Sequence, residues 1–174
     1  QRSLERLKGV HPDLVAVFKL ALSRSPIDFT VLEGLRTTAR QKTLVASGAS
    51  QTMNSRHITG HAVDVAPYAS GAVSWDWPLY HKLEPVIKKA AADLGVKIEW
   101  GGDWASFPDG PHWQLPWSVY GKDDMKPRAK TLTAPVSAPV VPSVVSDDDK
   151  ATEARLIALV DALRLLADNH DPRV

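Results

Sequence analysis

Two polar clusters far apart along the chain place the strongest limit on how it can fold: Ser55-Arg56-His57-Ile58-Thr59-Gly60-His61-Ala62-Val63-Asp64 and Asp109-Gly110-Pro111-His112-Trp113. Between them, His57, Asp64 and His112 offer two neutral imidazoles and one carboxylate, a donor set that suits a catalytic zinc with one coordination position left for water. A fold that uses them must bring the second cluster back against the first. The chain has no cysteine, so thiolate metal sites, disulfides and cysteine nucleophiles are all excluded. Any metal must be held by imidazole and carboxylate.

The pattern of apolar residues supplies the elements that could do this. Leu14, Val17, Phe18 and Ala21 follow helical spacing behind Pro12 and Asp13, which suit a first turn. Phe29 to Glu33 reads as a short strand after the Ser25-Pro26 break, and Gly34 ends it. A second helix is expected from Thr37 to Ala46, capped by Thr37 or Thr38 and closed near Gly48. Ala62 to Ala66 should be a strand that places Asp64 on the face opposite Val63 and Val65. Pro67 to Pro78 reads as an excursion, Tyr80 to Leu94 as a third helix closed by Gly95, and Lys97–Trp100 and His112–Leu115 as two further strands. His112 and Gln114 would share a face. This order predicts an α+β fold, a small antiparallel sheet with helices packed on it and the site on one side.

After Tyr120 the composition changes. Pro127, Pro135, Pro139 and Pro142 among Ser, Ala and Val mark residues 121–147 as an extended linker. Residues 148–174 are expected to form an amphipathic helix, with Ser146 to Asp149 as its N-terminal signal and an apolar stripe of Leu156, Leu159, Val160, Leu163 and Leu166. Such a helix cannot bury its stripe alone, so docking or self-association is expected of it. The organisation read from sequence is therefore a domain over residues 1–120, a linker and a C-terminal helix.

Each candidate side chain has a plainer reading beside the chemical one. His57 and Asp64 alone would also serve as a surface histidine and a salt-bridged aspartate. Gly60 is the residue expected where the chain must reverse sharply between them. Asp109 can lean over a metal held by His112 and act as a base, or it can cap its own turn. Arg36 can meet a substrate carboxylate or steady a developing oxyanion, or it can pair with Glu33. Arg40 reads as structural, and His61 as a strand-entry residue or a support for the ligands. Of the six tryptophans, at least half are expected in the core, while others could wall a glycan or peptide site.

Taken together, Glu33-Gly34-Leu35-Arg36-Thr37 with Arg40-Gln41, Ser55-x-His57-x-x-Gly60-x-Ala62-x-Asp64, and Trp100-Gly101-Gly102-Asp103-Trp104 followed by Asp109-x-Pro111-His112-Trp113-Gln114 resemble a known family. It is that of the VanY-type zinc D-alanyl-D-alanine carboxypeptidases and their phage relatives, the L-alanyl-D-glutamate endopeptidases used as endolysins. The likeness spans about residues 8–117. It implies the hedgehog/DD-peptidase-like fold, with His57, Asp64 and His112 as zinc ligands, Asp109 as general base and Arg36 as the residue that polarises or orients substrate. It further implies Ser55 and Trp113 beside the substrate. The Trp-Gly-Gly-Asp-Trp spelling is closer to the endopeptidases. The expected activity is zinc-dependent cleavage of the L-Ala–D-Glu bond of the peptidoglycan stem peptide in host lysis. Trimming of terminal D-Ala and a non-catalytic zinc-containing wall-binding module are the alternatives.

Charge and hydropathy limit the partners. Residues 146–174 carry a balance of −3 and the preceding residues +4, a mildly basic body compatible with anionic wall polymer. No basic run interleaved with aromatics occurs, which argues against nucleic acid. With no apolar stretch of about 18 residues and no apolar run behind the charged N-terminal residues, neither stable membrane insertion nor a signal peptide is expected. An endolysin of this kind would stay in the host cytoplasm until released to the cell wall or periplasm.

Overall fold

Alternation along residues 62–65 places valines on one side of a strand and Asp64 on the other, and the sheet is built around that strand. In a computed structural model of the chain, residues 2–69 and 71–130 are described. The elements are α1 (Arg2–Arg6), α2 (Pro12–Arg24), β1 (Asp28–Glu33), α3 (Thr38–Ala46), β2 (Ala62–Ala69), β3 (Ala72–Val73), α4 (Trp77–Leu94), β4 (Glu99–Trp100) and β5 (His112–Gln114), with one-turn 3-10 helices at Arg56–Thr59 and Gly101–Asp103. The strands form one antiparallel sheet in the order β1-β2-β5-β4, with β3 paired to the far end of β2. The expected α+β class and small antiparallel sheet are both present.

One face of this sheet carries the core. Val31, Val63, Val65, Trp100 and Trp113 project into it and are met by Leu14, Val17, Phe18 and Ala21 of α2 and by Leu83, Ile87, Ala90 and Ala91 of α4. Each fully buried Leu or Ile contributes roughly 1.5–3 kcal/mol through removal of its side chain from water. Trp100 and Trp113 are register partners on β4 and β5, and their rings stack 5.6 Å apart. Phe18 meets Trp113 edge-on.

Capping follows the local sequence. Thr37 accepts from the Arg40 N–H at the start of α3 (3.2 Å), and Gly95 ends α4 in the left-handed region. At α2 the cap is His11, whose Nδ1 accepts from the Asp13 N–H.

Several boundaries differ from the sequence reading. Helix α1 was not expected. Strand β2 runs on through Pro67 to Ala69, where Pro67 stands opposite Phe29 beyond the stretch paired with β5 and its carbonyl accepts from the Ser74 N–H just past β3 (3.0 Å); its missing N–H falls where the short β3 pairing ends, a position that tolerates proline. Helix α4 begins at Trp77 rather than Tyr80, with Pro78 in its first turn. The chain also does not leave the body at residue 121. Buried Asp13 accepts from the Tyr120 hydroxyl (2.9 Å) and from the N–H groups of Arg128 (2.7 Å) and Ala129 (2.9 Å), while Lys130 N–H donates to the Leu94 carbonyl (2.8 Å). The expected helix at 148–174 and the linker beyond Lys130 lie outside the described residues. Among the described residues, no helix is long and apolar enough to cross a membrane.

Candidate metal centre

Strand register assembles the site. Asp64 on β2 pairs with His112 on β5 and, on its other side, with Glu33 at the end of β1, after an irregularity in the β1 register. Directly opposed residues on one face hold their Cβ atoms ~4.5–5.5 Å apart, so Glu33, Asp64 and His112 form a row across the face turned away from the core. His57 comes to the same place from the 3-10 turn. The Ser55 hydroxyl caps that turn by accepting from the His57 N–H (3.3 Å), and Gly60 ends it at φ 71°. A Cβ at position 60 would stand 2.2 Å from the Gly9 carbonyl oxygen, so a side chain is excluded by space as well as by backbone angle.

The three donor atoms form a nearly equilateral triangle. His57 Nε2 is 3.2 Å from Asp64 Oδ1 and 3.2 Å from His112 Nδ1, and His112 Nδ1 is 3.1 Å from Asp64 Oδ1. Zinc bonds of ~2.0–2.1 Å in tetrahedral geometry require donor separations of about 3.3–3.4 Å, so the triangle matches one face of such a tetrahedron to within a few tenths of an ångström. Among the described residues this is the one group of three such side chains that could hold a metal ion.

Hydrogen bonds on the outer sides of both imidazoles aim their lone pairs inward. His57 Nδ1–H donates to the Gly34 carbonyl (2.7 Å), which leaves Nε2 as the free lone pair. Gln114 donates its amide to Glu99 (2.6 Å), so its Oε1 is left to accept from His112 Nε2–H (3.1 Å) and His112 Nδ1 turns to the centre. Such partners fix both tautomer and ring orientation of a metal-binding histidine. Two lone pairs and a carboxylate at this distance repel unless a positive charge lies among them. The donor set therefore fits a divalent cation.

The electrostatics express the same demand. Burial alone would push the Asp64 carboxyl up, but hydrogen bonds from His112 and His57 and their charge overcome it and hold the group well below the usual carboxylate range. Burial likewise opposes a charged His112, yet the hydrogen bond to Asp64 and its negative charge prevail, so this pKa is raised. In the metal-free protein the site thus favours positive charge on His112, the same sign that a cation would supply.

Asp109 occupies the turn before β5. Its N–H donates to the Gly101 carbonyl (2.9 Å), and its own carbonyl accepts from the His112 N–H (3.2 Å). The backbone thus closes the turn, while the carboxylate lines a cleft of about 510 Å³ together with Asp64, Glu33 and Arg40. Burial, then the nearby charge of Asp64, raise its pKa. Gly101 makes the turn possible: a Cβ there would lie 2.6 Å from the Asp109 carbonyl oxygen and 3.0 Å from the Cβ atoms of Asp109 and His112.

Of the two sequence readings of Arg36, the contacts in the structure are those of the plain one, extended to a metal-ligand candidate. The side chain pairs with Glu33 (2.5 Å) and also reaches Asp64 Oδ2 (3.3 Å) and Gln41 Oε1 (2.9 Å). Its guanidinium therefore braces the carboxylate of the triangle. Arg40 is exposed at the cleft edge.

Trp113, expected beside substrate, requires correction. Alternation along β5 turns it to the face opposite His112, into the core between Phe18 and Trp100. The tryptophan count is corrected too: only Trp100 and Trp113 are buried, whereas Trp75, Trp77, Trp104 and Trp117 are exposed. Trp104 lies over His112 with ring centroids 5.0 Å apart. His61 enters β2, buried against His11 and bonded to Thr59 and the Asp124 carbonyl, with no contact to the triangle. The sequence reading missed the Gly34 carbonyl as the outer partner of His57, Gln114 as that of His112, and Glu99, which orients the Gln114 amide.

Comparison with known proteins gives a consistent picture. A family described as phage L-alanyl-D-glutamate peptidase matches residues 1–114. The L-alanyl-D-glutamate peptidase of Escherichia phage T5 is 36% identical over 113 residues, covering 63% of this chain and 82% of that protein. That of Listeria phage A118 is 39% identical over 105 residues, which are 60% of this chain but 36% of that longer protein. Among solved structures, the L-Ala D-Glu endopeptidase ChiX of Serratia marcescens superposes with a TM-score of 0.65 at 51% identity, over 68% of this chain and 89% of its own.

Proposed function

The chain belongs to the phage L-alanyl-D-glutamate peptidase family, and from that premise we propose that it is a zinc-dependent endopeptidase that hydrolyses the L-Ala–D-Glu bond of the peptidoglycan stem peptide as a phage endolysin. The observation that carries this reading is the donor triangle of His57, Asp64 and His112, 3.1–3.2 Å on each edge and beside an acid-lined cleft.

In this reading zinc, when bound, supplies a water of lowered pKa and a Lewis acid for the scissile carbonyl. Asp109 accepts the proton of the attacking water and returns it to the departing amine. Burial and the charge of Asp64 raise the Asp109 pKa, the direction that suits a group that must both take and give a proton. Arg36 acts through Asp64, holding the carboxylate in place and balancing the charge of Glu33. Ser55 accepts from the His57 N–H and keeps its own hydroxyl proton available for substrate. As an endolysin, the protein would act on the wall after release from the host cytoplasm. Residues 131–174 would follow the peptidase domain as an appended segment.

Purified peptidoglycan provides the test. Digestion is expected to expose new N-terminal D-Glu. Release of free D-alanine instead would assign a carboxypeptidase, and stoichiometric zinc with no product at all would leave a wall-binding module.

A further inference from the structure

A glutamyl residue whose amine is acylated and one of whose carboxyls continues the chain keeps its other carboxylate free. When that is the α-carboxylate, it is bonded to the carbon that bears the scissile nitrogen, and its oxygens lie within ~3.5 Å of that nitrogen by ordinary bond lengths. The charge must then enter the cleft where the bond is cut. Three acids, Glu33, Asp64 and Asp109, line that cleft. An anion placed among them needs a cation.

Two arginines are close enough to consider. Arg36 is largely buried and does not line the cleft: Nη1 donates to Gln41 and Nη2 to Glu33 and Asp64, while Nε has no partner but is sealed from solvent. Arg40, one turn into α3, is the cation among the described residues that line the cleft. Its side chain is 58% exposed, and its nearest carboxylate oxygen, on Glu33, is 3.9 Å away and belongs to a group already paired with Arg36. An exposed ion pair of that length adds little to stability. The Arg40 guanidinium is thus free to take a new partner, and its planar fork matches a carboxylate through two parallel hydrogen bonds.

We propose that Arg40 is the specificity-determining residue that binds the free carboxylate of the residue on the amine side of the scissile bond. It would make the enzyme prefer stem peptides with D-Glu over those carrying the corresponding amide. The inference rests on the peptidase reading and adds to it the group that reads the substrate's charge.

The test uses two soluble stem peptides that differ only in an α-carboxylate or α-carboxamide on the residue after the scissile bond. They are assayed with zinc-loaded wild-type protein, Arg40→Gln and Arg40→Lys. The wild type should favour the acid. Arg40→Gln should lose roughly 10- to 100-fold in kcat/KM on the acid peptide, the range for a hydrogen-bonded charge pair. Most of this should be in KM, and the acid-to-amide preference should collapse toward unity. Arg40→Lys should restore part of that preference. Zinc content and Tm should match wild type in both variants, because the side chain is exposed. Equal losses on both peptides, or an unchanged preference, would overturn the assignment while leaving the peptidase reading intact. If wild type cleaves neither peptide, the peptidase reading itself fails and the assignment with it.

Discussion

Gly101→Ala probes the geometry that joins the base to the metal ligand. The new methyl would lie 2.6 Å from the Asp109 carbonyl oxygen, and ordinary contact begins at 3.4 Å, so about 0.8 Å of displacement is required. The atoms in the way are the backbone of Asp109 and the Cβ atoms of Asp109 and His112, none of which can swing aside like the end of a long side chain. The turn carrying both residues must move. Overpacking of this kind costs about 1–3 kcal/mol, offset by less than ~1 kcal/mol from the reduced freedom of the unfolded chain. Misplacing reacting groups by nearly an ångström costs on the order of 10²-fold in rate. The variant should therefore fold with a modestly lowered Tm, bind zinc more weakly and cleave the stem peptide about 100-fold more slowly at saturating zinc. Calorimetric zinc titration, a thermal melt and a peptide cleavage assay read the three effects. Wild-type kcat/KM in a folded Gly101→Ala protein would refute the claim that this close approach sets the catalytic geometry.

Three further outcomes follow from named contacts. Asp109→Asn should keep zinc, because Asp109 is outside the donor triangle, but lose at least about 10²-fold in turnover as expected for a proton-transfer residue; wild-type turnover would remove the base from the mechanism. Stability should depend on pH in opposite directions with and without metal. The His112 pKa is raised in the metal-free fold, so its contribution is complete below the unfolded value of 6.5 and is lost as pH rises through the folded value. Zinc competes with that same proton, so the loaded protein should gain stability over the same interval; parallel Tm slopes for the two forms would contradict the shared position of proton and metal. Finally, Asp13→Ala leaves the Tyr120 hydroxyl and two backbone N–H groups without their acceptor. It should cost roughly 3–5 kcal/mol, from three donors left unsatisfied at about 1–3 kcal/mol each where burial is complete, and speed amide exchange in residues 121–130.

The parts of the fold that could be read from sequence are those governed by local rules. Helical spacing behind Pro12, the cap at Thr37, Gly95 after α4 and the alternation around Asp64 all depend on neighbours a few residues away, and each appears in the structure. The ligand triangle was legible because its spacing and residue types are specific, although the contact between His57 and His112 spans 55 positions. What escaped depends on long-range partners. Helix α1 has only five residues and is settled by packing on β1 rather than by an N-terminal signal. Pro67 read as a break because composition does not show that the pairing on one side of the strand ends at that point. The clasp on Asp13 joins residues more than 100 positions apart, so the segment through Lys130 looked like linker. Trp113 was drawn into the site by its neighbour His112, when the two-residue period of β5 sends adjacent side chains to opposite faces.

The central claim is that His57, Asp64 and His112 share one divalent ion. Diffraction from crystals grown with zinc, with data recorded on both sides of the zinc absorption edge, locates the ion directly. The account predicts one anomalous peak bonded to His57 Nε2, Asp64 Oδ1 and His112 Nδ1 at ~2.0–2.2 Å, with a fourth position open to solvent. A zinc-bound crystal whose anomalous signal lies elsewhere, with these three side chains unligated, would contradict it.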